Sequence, residues 1–218
     1  MKHILTNVTL EKKMLQVKKI NFMKKKDLEN MQQQFRSGSD MTSFVTDLQR
    51  KQYNVRYTTN SENRITAVFF IRDSAIKELR KLPESVVVDD TYKSNCHLYA
   101  LVNFVIAGTV ASRERPQQLA TIPVAAAWME RETKSNYKWA LEQLREIVWP
   151  SGPTVKQSDL PSAFVTDNDA ALKGALSDVF PESAQLLCYI HIERHIREKF
   201  LKEINPSFTG KRDTRLIL

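Results

Sequence analysis

Two acidic strand ends decide the fold of this chain: Val86-Val87-Val88-Asp89-Asp90-Thr91-Tyr92 and Ala163-Phe164-Val165-Thr166-Asp167-Asn168-Asp169. In each stretch, an apolar run ends on carboxylates at a turn. An ionised aspartate held near an apolar core loses hydration, so a cation or hydrogen-bond donors are expected beside it. The alternative is that these aspartates cap the elements that follow them. The surrounding elements decide between the two interpretations.

The apolar spacing around these stretches predicts three strands followed by an alternating half. The strands are predicted at 86–89, 98–108 and 122–129. The later helices and strands are predicted at 135–148 (helix), 163–166 (strand), 170–180 (helix), 184–190 (strand) and 191–203 (helix). Leu172, Leu176 and Val179 show the helical period in the second of these helices.

This β-β-β-α-β-α-β-α order is similar to that of ribonuclease H-like nucleases and integrases. In such a sheet the first and fourth strands are neighbours, which would bring Asp89 and Asp167 to one edge. The predicted fold class is therefore α/β, with a ribonuclease H-like mixed sheet and a small α+β lead-in. Because side chains alternate along a strand, Asp89 and Asp90 cannot share a face. Asn168 or Asp169 is expected to cap the following helix.

Composition divides the chain into four segments. The lead-in combines a helix from Met41, strands around 53–57 and 65–71, and a short helix that Pro83 ends. The predicted segments are a basic leader and linker at 1–40, the lead-in at 41–83, the α/β core at 84–204 and a basic tail at 205–218.

The net charge of +8 is concentrated at the two ends of the chain. Residues 1–30 hold eight Lys against three acidic residues, and residues 191–218 hold seven Lys or Arg against four. Basic ends are compatible with nucleic acid, since each neutralised phosphate releases counterions. Two solvated helical faces would give the same pattern.

Membrane insertion and a disulfide framework are both disfavoured. The apolar stretch from Leu98 to Val110 is interrupted by Asn103 and Gly108 and is too short to cross a bilayer. The two cysteines, Cys96 and Cys188, fit a reduced compartment. We therefore expect no membrane partner.

Four blocks of sequence resemble the transposase domain of Mutator-like elements (MULE), which is also found in far-red-impaired-response proteins. Asp89-Asp90-Thr91-Tyr92-Lys93-Ser94-Asn95 resembles the family's Asp-x-Thr-Tyr-Lys-Thr-Asn. Pro123 to Glu130, followed by Ser135 to Leu141, resembles its next strand and helix entry. Thr166-Asp167-Asn168-Asp169-Ala170-Ala171-Leu172 resembles Thr-Asp-x-x-x-Ala-Leu, and Leu187-Cys188-Tyr189-Ile190-His191-Ile192 resembles Leu-Cys-x-x-His-Ile. The four blocks occur in the family's order.

The resemblance implies a DDE-type transposase, an enzyme that cleaves DNA phosphodiesters and transfers strands with Mg²⁺ or Mn²⁺. It assigns Asp89 and Asp167 as catalytic residues and metal ligands. Two metal ions about 4 Å apart would activate the attacking oxygen and stabilise the leaving oxygen. It also implies DNA as partner, a nuclear location and homo-oligomers of the full-length transposase.

Four other residues are assigned secondary positions. The family motif Cys188-x-x-His191 is expected near the active site. A zinc site there would need scattered partners, because the chain has one other Cys and three other His. Tyr92 and Lys93, beside the first acid, are candidate DNA contacts, although Lys93 is equally consistent with a solvated turn charge.

The third acidic residue of the family pattern has no match in this sequence. The family places a Glu after a helical insertion, but only Glu193, Glu198 and Glu203 follow the Cys-x-x-His block. The resemblance therefore implies a C-terminally truncated copy or fragment with an incomplete core, inactive by itself. The alternative function is a non-catalytic, domesticated DNA-binding or transcription-regulating module.

Overall fold

A seven-stranded mixed sheet organises the computed structural model, which describes residues 41–91, 99–113, 116–152 and 155–204, the side chains of 201–204 excepted. The described helices are α1 (Met41–Arg50), α2 (Asp73–Lys81), α3 (Lys134–Val148), α4 (Ala170–Val179) and α5 (Tyr189–Ile204), with a short 3-10 helix at Gln157–Asp159. The strands are β1 (Asn54–Thr59), β2 (Ile65–Ile71), β3 (Ser85–Thr91), β4 (Ala100–Ala111), β5 (Leu119–Met129), β6 (Ala163–Thr166) and β7 (Ala184–Leu187).

The strand order is β1-β2-β5-β4-β3-β6-β7. Along the spatial order from β1 through β2, β5 and β4 to β3, each strand is antiparallel to its neighbour. The last two strands differ, because β6 runs parallel to β3 and β7 runs parallel to β6. The expectation that the first and fourth strands of the core are neighbours is confirmed, since these are β3 and β6. The strands of the lead-in extend this same sheet, because β2 pairs with β5.

Alternation of side chains gives the sheet two different faces. On the helix-rich face, apolar residues of α2, α3 and α4 pack on the sheet, with Val86, Val88 and Phe164 among the buried strand residues. On the α1 face, α1 packs against residues such as Leu101 and Ala126. Since Val88 belongs to the helix-rich face, Asp89 lies on the α1 face and Asp90 on the helix-rich face.

The last predicted strand was too long. It was expected to reach residue 190, but β7 ends at Leu187 and α5 begins at Tyr189. Between them, the backbone N–H of Cys188 donates to the carbonyl of Thr166 (2.7 Å), and the carbonyl of Cys188 accepts from the N–H of Ile192 (3.0 Å). The chain therefore changes from sheet to helix at Cys188, and the motif Cys188-x-x-His191 spans the start of a helix.

Other boundaries moved at the edges of elements. The hairpin of β4 and β5 is longer than predicted, because the pairing continues to Ala111 and Leu119. The register shifts between Phe104 and Val105, where Pro123 stands opposite, and a proline is tolerated at such a bulge because it has no N–H to donate.

The predicted leader at 1–40 and tail at 205–218 lie outside the described residues. Among the described helices, none combines the length and apolar character of a bilayer span.

Candidate functional site

Asp89 and Asp167 come together at the carboxyl ends of β3 and β6. In this parallel pair, Val87 is the partner of Val165. Continuing the register by two residues on each strand places Asp89 beside Asp167. Asp167 follows the last residue of β6, and its carboxylate accepts the backbone N–H of Asp169 (3.1 Å). Two residues that are far apart in sequence therefore meet at one sheet edge.

The electrostatic surroundings of Asp89 reflect this proximity. Desolvation raises its pKa above the ordinary value, and the neighbouring Asp167 carboxylate raises it further. His191 and Arg194, both on α5, have the opposite effect and lower the pKa of Asp89. The first turns of α5 thus bring two basic side chains near Asp89, and their effect on its pKa opposes that of Asp167.

Asp90 has a different role from Asp89. It points to the helix-rich face, where the buried Tyr137 hydroxyl of α3 donates a hydrogen bond to its Oδ2 (2.8 Å). Burial raises the pKa of Asp90, the Tyr137 hydrogen bond lowers it, and Asp167 and Asp89 raise it. Burial raises the pKa of Tyr137, and the neighbouring Asp90 carboxylate raises it further. The pair fixes the end of β3 to α3.

Glu132 joins the acidic group, although sequence reasoning did not single it out. It lies between β5 and α3, and burial, followed by Asp90, Asp169 and Asp167, raises its pKa from 4.5 to about 7. Its Oε1 is buried and has no hydrogen-bond partner within the described part of the chain. The sequence signal that could have pointed to Glu132 was its position just before a helix, two residues after the block that ends at Glu130.

Asp169 is the N-cap of α4, as the cap interpretation expected. Its carboxylate accepts the backbone N–H of Leu172 at 2.7 Å, while Asn168 instead accepts from the side chain of Lys173 (3.3 Å). The cap orients the turn that carries Asp167, because Asp167 in turn accepts the N–H of Asp169. Helix capping and acid placement are therefore linked in one short segment.

Loss of this cap should lower stability. We expect Asp169→Ala to reduce the free energy of unfolding by about 1 kcal/mol, since it leaves an N–H of the first helical turn without its acceptor. Urea unfolding followed by circular dichroism measures the change. Asp169→Asn is the matched control, because Asn caps equally well while removing the charge. A loss in the Asn variant as large as in the Ala variant would contradict a capping role.

Cys188 and His191 lie where β7 ends and α5 begins, near Asp89 and Asp167. Cys188 is a half-buried free thiol whose backbone is bonded to Thr166, the residue before Asp167. The Nδ1 atom of His191 is buried and finds no hydrogen-bond partner among the described residues. The structure brings His191 within electrostatic reach of Asp89. The predicted DNA contacts Tyr92 and Lys93 lie outside the described residues.

One further oxygen near the acids has no partner. Asn103 of β4 is the direct partner of Asp89 in the antiparallel pair, and its Oδ1 is buried without a hydrogen bond to any described residue. Across the same described ranges, no group of three or more His, Cys, Asp and Glu is arranged to hold a metal ion.

Comparisons with known proteins match the same region of the chain. The MULE transposase domain model matches residues 85–195, about half of the chain. The Arabidopsis thaliana protein FAR1-RELATED SEQUENCE 5 is 26% identical over 153 residues, which cover 68% of this chain and 17% of that protein. The chain thus spans under a fifth of the length of the curated relative it matches. The matched region contains both acids, Glu132, Cys188 and His191, and the resemblance inferred from the four blocks is confirmed.

Proposed function

Because this chain belongs to the MULE transposase domain family, we propose that it carries the metal-binding carboxylates of a DDE-type site on a ribonuclease H-like sheet. In this proposal Asp89 and Asp167 bind Mg²⁺ or Mn²⁺, and DNA is the substrate. The full-length protein would act in the nucleus, as an oligomer, on DNA phosphodiesters. The observation that carries the proposal is the register of β3 and β6, which sets the two acids side by side.

The donor chemistry suits these metals. Mg²⁺ prefers oxygen ligands, keeps several waters and is commonly held by one or two carboxylates. Asp89 and Asp167 provide two carboxylates whose mutual repulsion contributes to the raised pKa of Asp89. A bound divalent cation would relieve that repulsion and would supply Lewis-acid activation of the attacking oxygen. The protein's own part is to hold both carboxylates at one sheet edge.

Metal-dependent thermal stability tests the proposal. We expect Mn²⁺ or Mg²⁺ to raise the melting temperature of the chain relative to EDTA, with a stabilisation of about 1.4 kcal/mol at roughly ten times Kd. Asp89→Asn and Asp167→Asn should each remove this shift. Without metal, both variants should be as stable as the wild type or more stable, because one of two adjacent like charges is gone.

The control is Asp47→Asn on α1, where the carboxylate forms a surface ion pair with Arg50 (2.8 Å). This variant should keep the full metal-dependent shift. A shift that persists in both site variants would mean that the metal binds elsewhere, and the paired-acid site would then be abandoned.

A second candidate function is a non-catalytic DNA-binding or regulatory module. It is favoured by one observation: within the described residues, no group of three or more His, Cys, Asp and Glu is arranged to hold a metal ion. This function predicts DNA binding that weakens with salt and survives the double variant Asp89→Asn/Asp167→Asn. Fluorescence anisotropy with labelled duplex DNA at low and high salt measures it. Binding that disappears with the acids would favour the metal-dependent enzyme instead.

A further inference from the structure

We propose that Asn103 is a third oxygen ligand of the cation site, on the side of Asp89 away from Asp167. This inference rests on the proposed function, since it concerns the same site. Asn103 belongs to none of the four sequence blocks, and it lies within an apolar run, Leu101-Val102-Asn103-Phe104-Val105.

Strand pairing places Asn103 next to Asp89. The two residues are direct partners in the antiparallel pair of β3 and β4. Residues directly opposite each other on antiparallel strands point to the same face, with Cβ atoms about 4.5–5.5 Å apart. The flanking residues Val102 and Phe104 are buried on the helix-rich face, so the Asn103 side chain lies on the α1 face with Asp89.

The Oδ1 atom of Asn103 lacks a donor. It is buried and finds no hydrogen-bond partner within the described residues. A buried acceptor without a partner destabilises the fold, and a bound cation is one way to satisfy it. A cation held by the adjacent Asp89 would satisfy this oxygen, because amide carbonyls are ordinary ligands of hard divalent ions.

The three oxygen-bearing residues form a row across neighbouring strands. Asp167 follows β6, Asp89 lies on β3 and Asn103 lies on β4, with strand spacings of about 4.8 Å. Pairs of catalytic metal ions lie about 3.5–4 Å apart, which is close to that spacing. Asp89, in the middle of the row, is placed to bind toward both neighbours. Beyond Asn103, its partner on β5 is the small Ala126, which carries no competing donor.

The experiment is an Mn²⁺ titration of the full chain by isothermal calorimetry. Asn103→Leu, which keeps the approximate size without the oxygen, should weaken Mn²⁺ binding about tenfold or more. Asn103→Asp restores an oxygen ligand with added charge and should bind at least as tightly as the wild type. A control with the same substitution, Asn54→Leu on β1, should leave affinity unchanged because Asn54 is exposed and bonded to Asp73.

The outcomes separate this inference from the function on which it rests. If the wild type binds no Mn²⁺, the paired-acid proposal fails and the inference about Asn103 fails with it. If the wild type binds and Asp89→Asn does not, the site stands, and wild-type affinity in Asn103→Leu overturns only the role of Asn103. Should the Leu variant not fold, Asn103→Asp decides: affinity weaker than the wild type overturns the inference, and equal or tighter affinity supports it.

Discussion

Replacing Phe164 with Ala is expected to lower the free energy of unfolding by about 3–5 kcal/mol. Phe164 is fully buried on β6, the strand between β3 and β7. Its ring packs against that of Phe180 with centroids 4.9 Å apart, and Phe180 in turn meets Trp149 edge-on at 6.3 Å. The substitution would leave a cavity in the middle of this aromatic cluster, where little can move in to fill it.

Urea unfolding followed by Trp fluorescence measures this loss. Small domains are stable by about 5–15 kcal/mol, so the variant would lose a large share of its stability. The matched control is Val110→Ala near the tip of the β4–β5 hairpin, where the side chain is 65% exposed and the change should stay within about 0.5 kcal/mol. A loss below about 1 kcal/mol for Phe164→Ala would show that the cluster does not hold β6, and with it Asp167, in place.

Stability in metal-free buffer is expected to fall as the pH rises from about 4.5 to about 7. The cause is Glu132, whose pKa is raised from 4.5 to about 7 by burial and nearby carboxylates. In that window the folded state holds a proton that the unfolded state has released, so raising the pH favours unfolding. The stabilisation that this proton gives the folded state is fully present below pH 4.5 and is lost once the pH passes 7. The raised pKa values of Asp89 and Asp90 act in the same direction.

Glu132→Gln isolates the part due to this residue. One pKa unit corresponds to about 1.4 kcal/mol, and solvent screening at a partly exposed side chain reduces the total to about 1–2 kcal/mol. Relative to the wild type, the Gln variant should therefore gain about that much stability between pH 4.5 and pH 8. Parallel urea unfolding in EDTA at both pH values measures it, with Glu146→Gln on the exposed side of α3 as the control. A difference that does not change with pH would refute the shift.

Much of the candidate site could be predicted from the sequence because its parts are local. An apolar run that ends on Asp89 is visible without coordinates, and so is the short Asp167–Asp169 segment that precedes α4. Asp169 was recognised as a possible cap for the same reason, since capping depends on residues within one turn. The four ordered blocks carried the family resemblance.

Other parts of the site depend on contacts between distant residues. Nothing in the sequence links Tyr137 to Asp90, although its hydroxyl donates a hydrogen bond to Asp90 from 47 residues away. Glu132 looks like an ordinary surface charge until its neighbours are known. Asn103 was noticed only as an interruption of an apolar stretch, which is the one signal that a polar group lies in a buried strand.

The sequence by itself determined which side chains alternate along each strand, and hence that Asp89 and Asp90 face opposite sides. That follows from the two-residue period of a strand, which needs no partner. Only the tertiary structure decided that Asp167 lies beside Asp89 on one side and Asn103 on the other, because strand order and register arise from packing between distant segments. Burial and the raised pKa values were likewise decided there, since desolvation and charge repulsion depend on what surrounds a carboxylate in space.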